Sequence, residues 1–387
     1  MRAVPPSGFA ARLAGLYAAI FIVGGFQLPF FPVWLKAKGL DAGEIGLVLA
    51  VPMVVRVLAI PIATRAADRR EALREAILIA SCLTVLGYLM LALTDGVWGI
   101  LIAFALASLA YTPIMPLAET YALKGLAARG RAYGPVRLWG SAAFVGGTFL
   151  AGFAADAMDA RHLIWPILAG TAVLALSATL LAPLETGTRA SGRAAAPRPL
   201  LRDPAFIAVM AAASLIQASH AVYYGFSALA WKGQGFDGTT IAALWALGVV
   251  AEIVLFALSG RLPAVVDPAM LLLIGALGGA LRWAAMALDP PGFALPLLQL
   301  LHAASFGATH LGALMFMSRH APAGQSATAQ GYLAIAMGLV MAGATGLSGV
   351  LFEAFGSLSY AAMSVAAIAG GIGALIARRT GRVAAAL

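Results

Sequence analysis

The stretch Trp34-Leu-Lys36-Ala-Lys38-Gly39-Leu-Asp41 returns in the second half of the chain as Trp231-Lys232-Gly-Gln-Gly235-Phe-Asp237. Arg56 follows Asp41 by 15 residues, and Glu252 follows Asp237 by the same 15. Arg65 and Arg261 each follow those aspartates by 24. Three matched offsets mark an internal repeat. Each copy lies between two long apolar runs, so the repeating unit is built from apolar segments.

Working outward, the 387-residue chain is 62% hydrophobic and only 11% charged, with a mean hydropathy of +0.93. Soluble domains carry about 25% charged residues. No soluble core absorbs this much apolar sequence, so lipid is the solvent for most of it. At roughly 20 apolar residues per crossing, twelve spans are expected: 12–35, 43–64, 74–94, 97–122, 134–156, 161–182, 204–231, 238–261, 268–288, 293–318, 326–353 and 357–378. The runs are continuous rather than alternating, which excludes a β-barrel.

The net charge is +9 and the pI about 10.0. The basic residues sit in short clusters between apolar runs, the positive-inside pattern rather than a nucleic-acid groove. With both termini inside, 18 Lys and Arg face the cytoplasm and four (Lys36, Lys38, Arg161, Lys232) face outside. That asymmetry predicts cytoplasmic termini, and a bacterial inner membrane is the expected location. Cys82 is the single cysteine, so no disulfide or cysteine metal site forms within the chain. Met1 to Ala11 run straight into an apolar segment without a small-residue cleavage site, and no cleaved signal is expected.

The polar connector Pro183–Pro204 holds Arg189, Arg193, Arg198 and Arg202 among Gly, Ser, Ala and Pro, the composition of a flexible linker. It predicts an N-terminal six-helix bundle over 1–182, a cytoplasmic linker over 183–203 and a C-terminal six-helix bundle over 204–387. Both halves start inside, so the repeat is parallel, with its axis along the membrane normal. No G-x-x-x-x-G-K-[ST] is present, which argues against an ATP-driven pump. No cofactor or metal is expected, and the chain reads as a non-enzyme.

A charge near the bilayer centre costs at least ~2.5–3.5 kcal/mol, so each one needs a reason. Arg56, Glu119, Arg137, Glu252 and Arg282 fall inside predicted spans, as do His220, His302 and His310. Glu119 and Arg137 flank the hairpin 123–133 at similar depth. They either close it as an ion pair or line a substrate cavity, where the guanidinium fork suits a carboxylate or hydroxyls. Glu252, Arg282, His220 and His302 lie mid-span on four different helices. Imidazoles and desolvated carboxylates exchange protons near neutral pH, which suits a proton relay; the alternative is a static network that locks helix packing. Gln27, Phe30, Phe144, Tyr223 and His220 lie at the depth of the charges and are candidate substrate contacts. His310 reads as an interior histidine, and Arg56 as a structural or gating group.

The loop holding Arg65, Asp68, Arg69 and Arg70 resembles the signature Gly-x-x-x-Asp-Arg-x-Gly-Arg-Arg of the major facilitator superfamily, with Thr64 in place of the first glycine and Glu71 outside the pattern. Asp68, Arg69 and Arg56 are therefore expected to act in gating, with Asp68 capping a helix or pairing with an arginine. The segment Tyr133-Gly134-Pro-Val-Arg137-Leu-Trp139-Gly140-Ser141 resembles the fifth span of the oligosaccharide:proton symporters, where a glutamate 18 residues before the arginine joins it in binding sugar. Here Glu119 holds that place. Glu252, Arg282 and His302, 20 residues after Arg282, match that family's relay; Ser305 stands where it has a proton-carrying glutamate, and Phe144 where it has a tryptophan.

The segments Arg137-Leu-Trp-Gly-Ser, Gln217-Ala-Ser-His220-Ala-Val-Tyr-Tyr-Gly-Phe-Ser, Leu244-Trp-Ala-Leu-Gly-Val-Val-Ala-Glu252 and Leu301-His302 resemble the phenylpropionate permease family of the major facilitators. The resemblance runs through nearly all spans. It implies a monomeric, alternating-access symporter that takes up a small organic solute, such as an aromatic carboxylate, with protons. Glu119, Arg137, Phe144, Phe30, Gln27, Tyr223 and His220 would bind substrate, and Glu252, Arg282 and His302 would couple protons. A sugar or nucleoside symporter is the alternative reading, and a proton-coupled drug exporter the third.

Overall fold

The computed structural model describes residues 8–184, 200–261, 263, 266–321 and 326–386. Most of the predicted linker 183–203 lies outside the described residues. Among those described, all regular structure is helical. The first half holds α1 (Phe9–Ala37), α2 (Ala42–Arg69), α3 (Leu73–Ala92), α4 (Val97–Tyr111), α5 (Ile114–Ala127), α6 (Gly134–Ala157) and α7 (Ile164–Thr179). The second holds α8 (Pro204–Ala218), α9 (Ala221–Gly233), α10 (Gly238–Leu258), α11 (Pro268–Ala287), α12 (Leu295–Leu300), α13 (Thr309–His320), α14 (Ser326–Phe355) and α15 (Tyr360–Ala386).

Among the described residues, eleven stretches are long and apolar enough to cross a membrane. Ten match expected spans to within five residues at either end; the last, Thr328–Arg379, runs through α14 and α15, which meet at a 3-10 turn over Gly356–Ser359. Leu58, Ile62, Trp98, Phe153 and Phe293 are large, apolar and exposed. Outward-facing side chains of this kind belong in lipid.

The repeated aspartates begin matching helices. Asp41 Oδ1 accepts from the Glu44 amide at 2.7 Å and Glu44 Oε2 accepts from the Asp41 amide at 3.0 Å, a capping box at the start of α2. Asp237 Oδ1 accepts from the Thr240 amide at 2.6 Å at the start of α10.

Three of the crossing stretches are broken in mid-span, two of them for an evident chemical reason. Pro113 lacks an amide hydrogen and separates α4 from α5. Ser219 Oγ donates to the Ile216 carbonyl at 2.6 Å, and His220 Nδ1 lies 3.3 Å from that carbonyl and 3.1 Å from that of Gln217. These side chains take carbonyls the helix would use, and α8 gives way to α9 there. Between α12 and α13 the chain is a π-helix over Ala303–Ala308, a geometry frequent at functional sites.

The chain clusters into two compact units, Met1–Arg189 with Ala228–Ala243, and Ala190–Ser227 with Leu244–Leu387. In the first, α1 packs on α6 and α7, and α3 on α4 and α7. Small residues permit the α1–α6 approach: a Cβ on Gly147 would sit 2.8 Å from the Ile22 carbonyl oxygen, and one on Gly25 2.5 Å from that of Phe144. Gly147→Leu should therefore destabilise this unit by about 1–3 kcal/mol, read as a lower thermal-unfolding midpoint in detergent. An unchanged midpoint would mean that α1 and α6 do not meet there.

The segment Ala228–Ala243 joins the first unit through Asp156 near the end of α6. Its carboxylate accepts from the Gly238 amide at 2.5 Å and from the Thr239 amide and hydroxyl at 2.9 Å each. In the second unit, α15 packs on α11 and α8, and α13 on α11.

Candidate functional site

In the first unit, Arg137 lies in the opening turn of α6. Its guanidinium carbon is 4.2 Å from the Phe21 ring centroid and 5.8 Å from that of Tyr17. The Tyr17 hydroxyl donates to the Tyr133 hydroxyl at 3.3 Å, and Tyr17 is within electrostatic reach of both Glu119 and Arg137. Glu119 and Arg137 are each half-buried. They make no ion pair with each other within 4 Å, so the hairpin-closing reading does not hold in this conformation. A half-buried arginine resting on an aromatic face keeps its fork for another partner.

Other expected contacts of this unit are placed differently. Gln27 Oε1 accepts from the Tyr88 hydroxyl at 2.7 Å. Phe144 is half-buried beside Gly24, whose Cβ would meet its ring at 3.8 Å. Phe30 is buried, 1% exposed. Asp68 has Lys124 Nζ at 3.9 Å rather than an arginine, on the exposed surface with Arg69. Arg56 is half-buried mid-helix.

The second unit gathers its charges into one connected chain. Arg282 on α11 donates through one terminal nitrogen to Gln299 Oε1 at 2.6 Å and through the other to His302 Nδ1 at 3.1 Å. Its guanidinium carbon lies 4.5 Å from the ring centroids of Tyr223 and Trp283. His302 Nε2 then faces Glu252 Oε2 at 3.5 Å. Gln299 and His302 stand three residues apart, one helical turn, which is why both reach the same guanidinium. Glycines bring α10 to them: a Cβ on Gly307 would lie 3.5 Å from Glu252 Cγ, and one on Gly248 3.3 Å from His302 Cβ.

Donor logic assigns the protons. A guanidinium only donates, so His302 Nδ1 accepts and its proton sits on Nε2, aimed at Glu252. His220 is the opposite tautomer: Nδ1 faces two carbonyls and must donate, leaving Nε2 to accept from Ser305 Oγ at 3.1 Å. The serine in the place of the expected acid thus holds a histidine. His220 is fully buried, with the His302 ring edge-on at 5.5 Å and Trp283 edge-on at 5.0 Å. His310 stacks on Phe306, ring centroids 6.1 Å apart, and Phe306 on His302 at 5.1 Å.

Sequence reasoning missed Tyr17, Phe21, Tyr133 and Trp283 as site residues and left Gln299 without a role. The spacing of Tyr17 to Phe21 and of Gln299 to His302 was the available signal.

These features define a multi-pass membrane protein with polar and charged clusters held inside its helices. The chain belongs to the MFS_1 like family, whose sequence model matches residues 10–363. It is 31% identical to the "Probable 3-phenylpropionic acid transporter" of Escherichia coli (strain K12) over 367 residues, 91% of this chain and 93% of that one. It is 28% identical to the maltose permease of Geobacillus stearothermophilus, covering 87% of this chain and 86% of the relative. Among solved structures, the nucleoside transporter NupG superposes with a TM-score of 0.79 at 17% identity, over 96% of this chain and 98% of that one. A bacterial homolog of the lysosomal transporter Spinster superposes with a TM-score of 0.75 at 16% identity, over 97% and 98%. Both share the fold.

Proposed function

We propose that this protein is a proton-coupled symporter that imports an aromatic carboxylate of the phenylpropionate class by alternating access. In this reading it crosses the bacterial inner membrane twelve times as a monomer. Its two six-helix halves, 1–182 and 204–387, are joined by the cytoplasmic linker 183–203, and both termini are cytoplasmic.

One observation carries the coupling: the unbroken sequence Glu252, His302, Arg282, Gln299 inside the second unit. Both nitrogens of His302 are engaged, and protonating Nδ1 would set two donors against each other. Glu252 is the group that takes the proton, and His302 transmits its state to Arg282. In the first unit Arg137, Glu119, Tyr17 and Phe21 form the face that orients the substrate's ring and polar substituents. Asp68, Arg69 and Arg56 serve the gating movements.

The substrate class draws on the phenylpropionic acid transporter relative, and the maltose permease relative supports the second reading, a neutral sugar. Uptake into proteoliposomes with an inward proton gradient separates them. Labelled 3-phenylpropionate should accumulate, and unlabelled aromatic acids should compete while maltose and nucleosides do not. Competition by neutral glycosides alone would overturn the aromatic-acid assignment.

A further inference from the structure

Arg282 is a buried cation without an anion. It is 0% exposed, and no carboxylate lies within 4 Å of it among the described residues. Its terminal nitrogens bond Gln299 and His302, the Tyr223 side chain is a further hydrogen-bond partner, all three are neutral, and its faces lie on Tyr223 and Trp283. Among the described residues its Nε–H has no hydrogen-bond partner. Gln299 Nε2, on the amide that already holds Arg282, is also buried and unpartnered. Trp245, stacked on Tyr223 at 4.6 Å, and Tyr360, stacked on Trp283 at 5.8 Å, each carry a buried polar group with no acceptor.

Buried donors are normally satisfied and buried charges normally paired. Several unused donors around an unpaired guanidinium call for a ligand that is both an acceptor and an anion. The acceptors that now hold the arginine come from α12 and the turn into the π-helix, the irregular backbone of this unit.

We propose that Arg282 anchors the carboxylate of the transported substrate, and that protonation of Glu252 admits it. This rests on the aromatic-carboxylate reading given above and assigns the carboxylate to the second unit rather than to Arg137. The ordering follows from charge balance. With Glu252 ionised, its charge reaches Arg282 through the single imidazole of His302. A proton added to a Glu252 carboxylate oxygen removes that charge and leaves the guanidinium uncompensated. A substrate carboxylate at the free edge of Arg282 restores the balance. Loss of the proton on the other side of the membrane returns the charge to Glu252 and expels the anion. Each carboxylate then travels with a proton.

The titratable and charged groups around Glu252 fit this assignment. His302 has both nitrogens engaged, and His220, behind it, is held by Ser305 and two carbonyls. His310 on α13 and Tyr224 on α9 also lie in electrostatic reach of Glu252. None offers an anion that could stand in for the substrate.

The test is calorimetric binding of 3-phenylpropionate and its uncharged amide to the full-length protein in nanodiscs across a pH series. Wild type should prefer the acid by about 10- to 100-fold, the worth of a charge-assisted hydrogen bond, with the preference shrinking as pH rises. Glu252→Gln should keep the preference at every pH. Arg282→Gln should lose the preference and bind acid and amide alike, and Arg282→Lys should restore part of the difference. Arg282→Gln that retains the preference while Arg137→Gln loses it would overturn the proposal and move the carboxylate to the first unit. If Arg282→Gln does not fold, a preference in Glu252→Gln that still falls with pH would overturn it instead. Wild type that binds neither compound overturns the aromatic-carboxylate reading and this site with it; wild type that binds the acid while Arg282→Gln is unaffected overturns the site alone.

Discussion

Glu252→Gln should abolish accumulation of 3-phenylpropionate against its gradient while leaving downhill exchange intact. The amide has the shape of the carboxyl group, and its oxygen still accepts from His302 Nε2–H, so the geometry seen at 3.5 Å survives. What it cannot do is gain or lose a proton. A coupled symporter converts each pH unit, about 1.4 kcal/mol, into about tenfold accumulation per proton. The variant should show no accumulation above the external concentration at any imposed pH gradient, with counterflow rates within a few-fold of wild type. Retained pH-driven accumulation would take the proton away from Glu252. Glu252→Asp separates charge from reach: it keeps the titrating group but withdraws it from an imidazole already at 3.5 Å, so coupling should be weakened rather than lost.

Arg137→Gln is expected to produce the second large effect, and a different one. Arg137 rests on Phe21 at 4.2 Å and has no ion pair with Glu119, so its delocalised plane is available to the substrate. Removing it takes away a half-buried cation–aromatic surface worth about 0.5–2 kcal/mol, or roughly tenfold in affinity. The loss should fall equally on acid and amide, because the carboxylate is read elsewhere. Arg137→Lys should recover little, since an ammonium does not reproduce the guanidinium plane. Binding measured against both compounds decides: a loss confined to the acid would mean that Arg137 holds the carboxylate.

The spans were legible because a membrane imposes length and apolarity on every crossing, and the repeat was legible because Asp41 and Asp237 cap equivalent helices. The helix breaks were less so. Pro113 announces one of them, but the break at His220 arises from side chains that take backbone carbonyls, and the π-helix over Ala303–Ala308 contains neither proline nor charge to announce it. Glu252, Arg282 and His302 stood out because charge is expensive in lipid. Gln299 was left without a role because it is neutral, although its bond to Arg282, at 2.6 Å, is shorter than that of His302 at 3.1 Å. Phe30 was expected to wall a cavity from its depth alone, but depth does not say which way a ring faces, and it points into packing. Asp156 was passed over because it sits at a span end, where a carboxylate needs no explanation until its bonds to Gly238 and Thr239 are seen.

The most direct test of proton-coupled transport is a paired flux measurement. Proteoliposomes holding a pH-sensitive dye receive labelled 3-phenylpropionate with no imposed gradient, against protein-free liposomes as the control for passive entry of the acid. Protein-dependent substrate entry and internal acidification should rise together, in constant proportion, and both should disappear in Glu252→Gln under net-flux conditions. Protein-dependent substrate entry without acidification, or acidification unchanged by Glu252→Gln, would contradict that coupling.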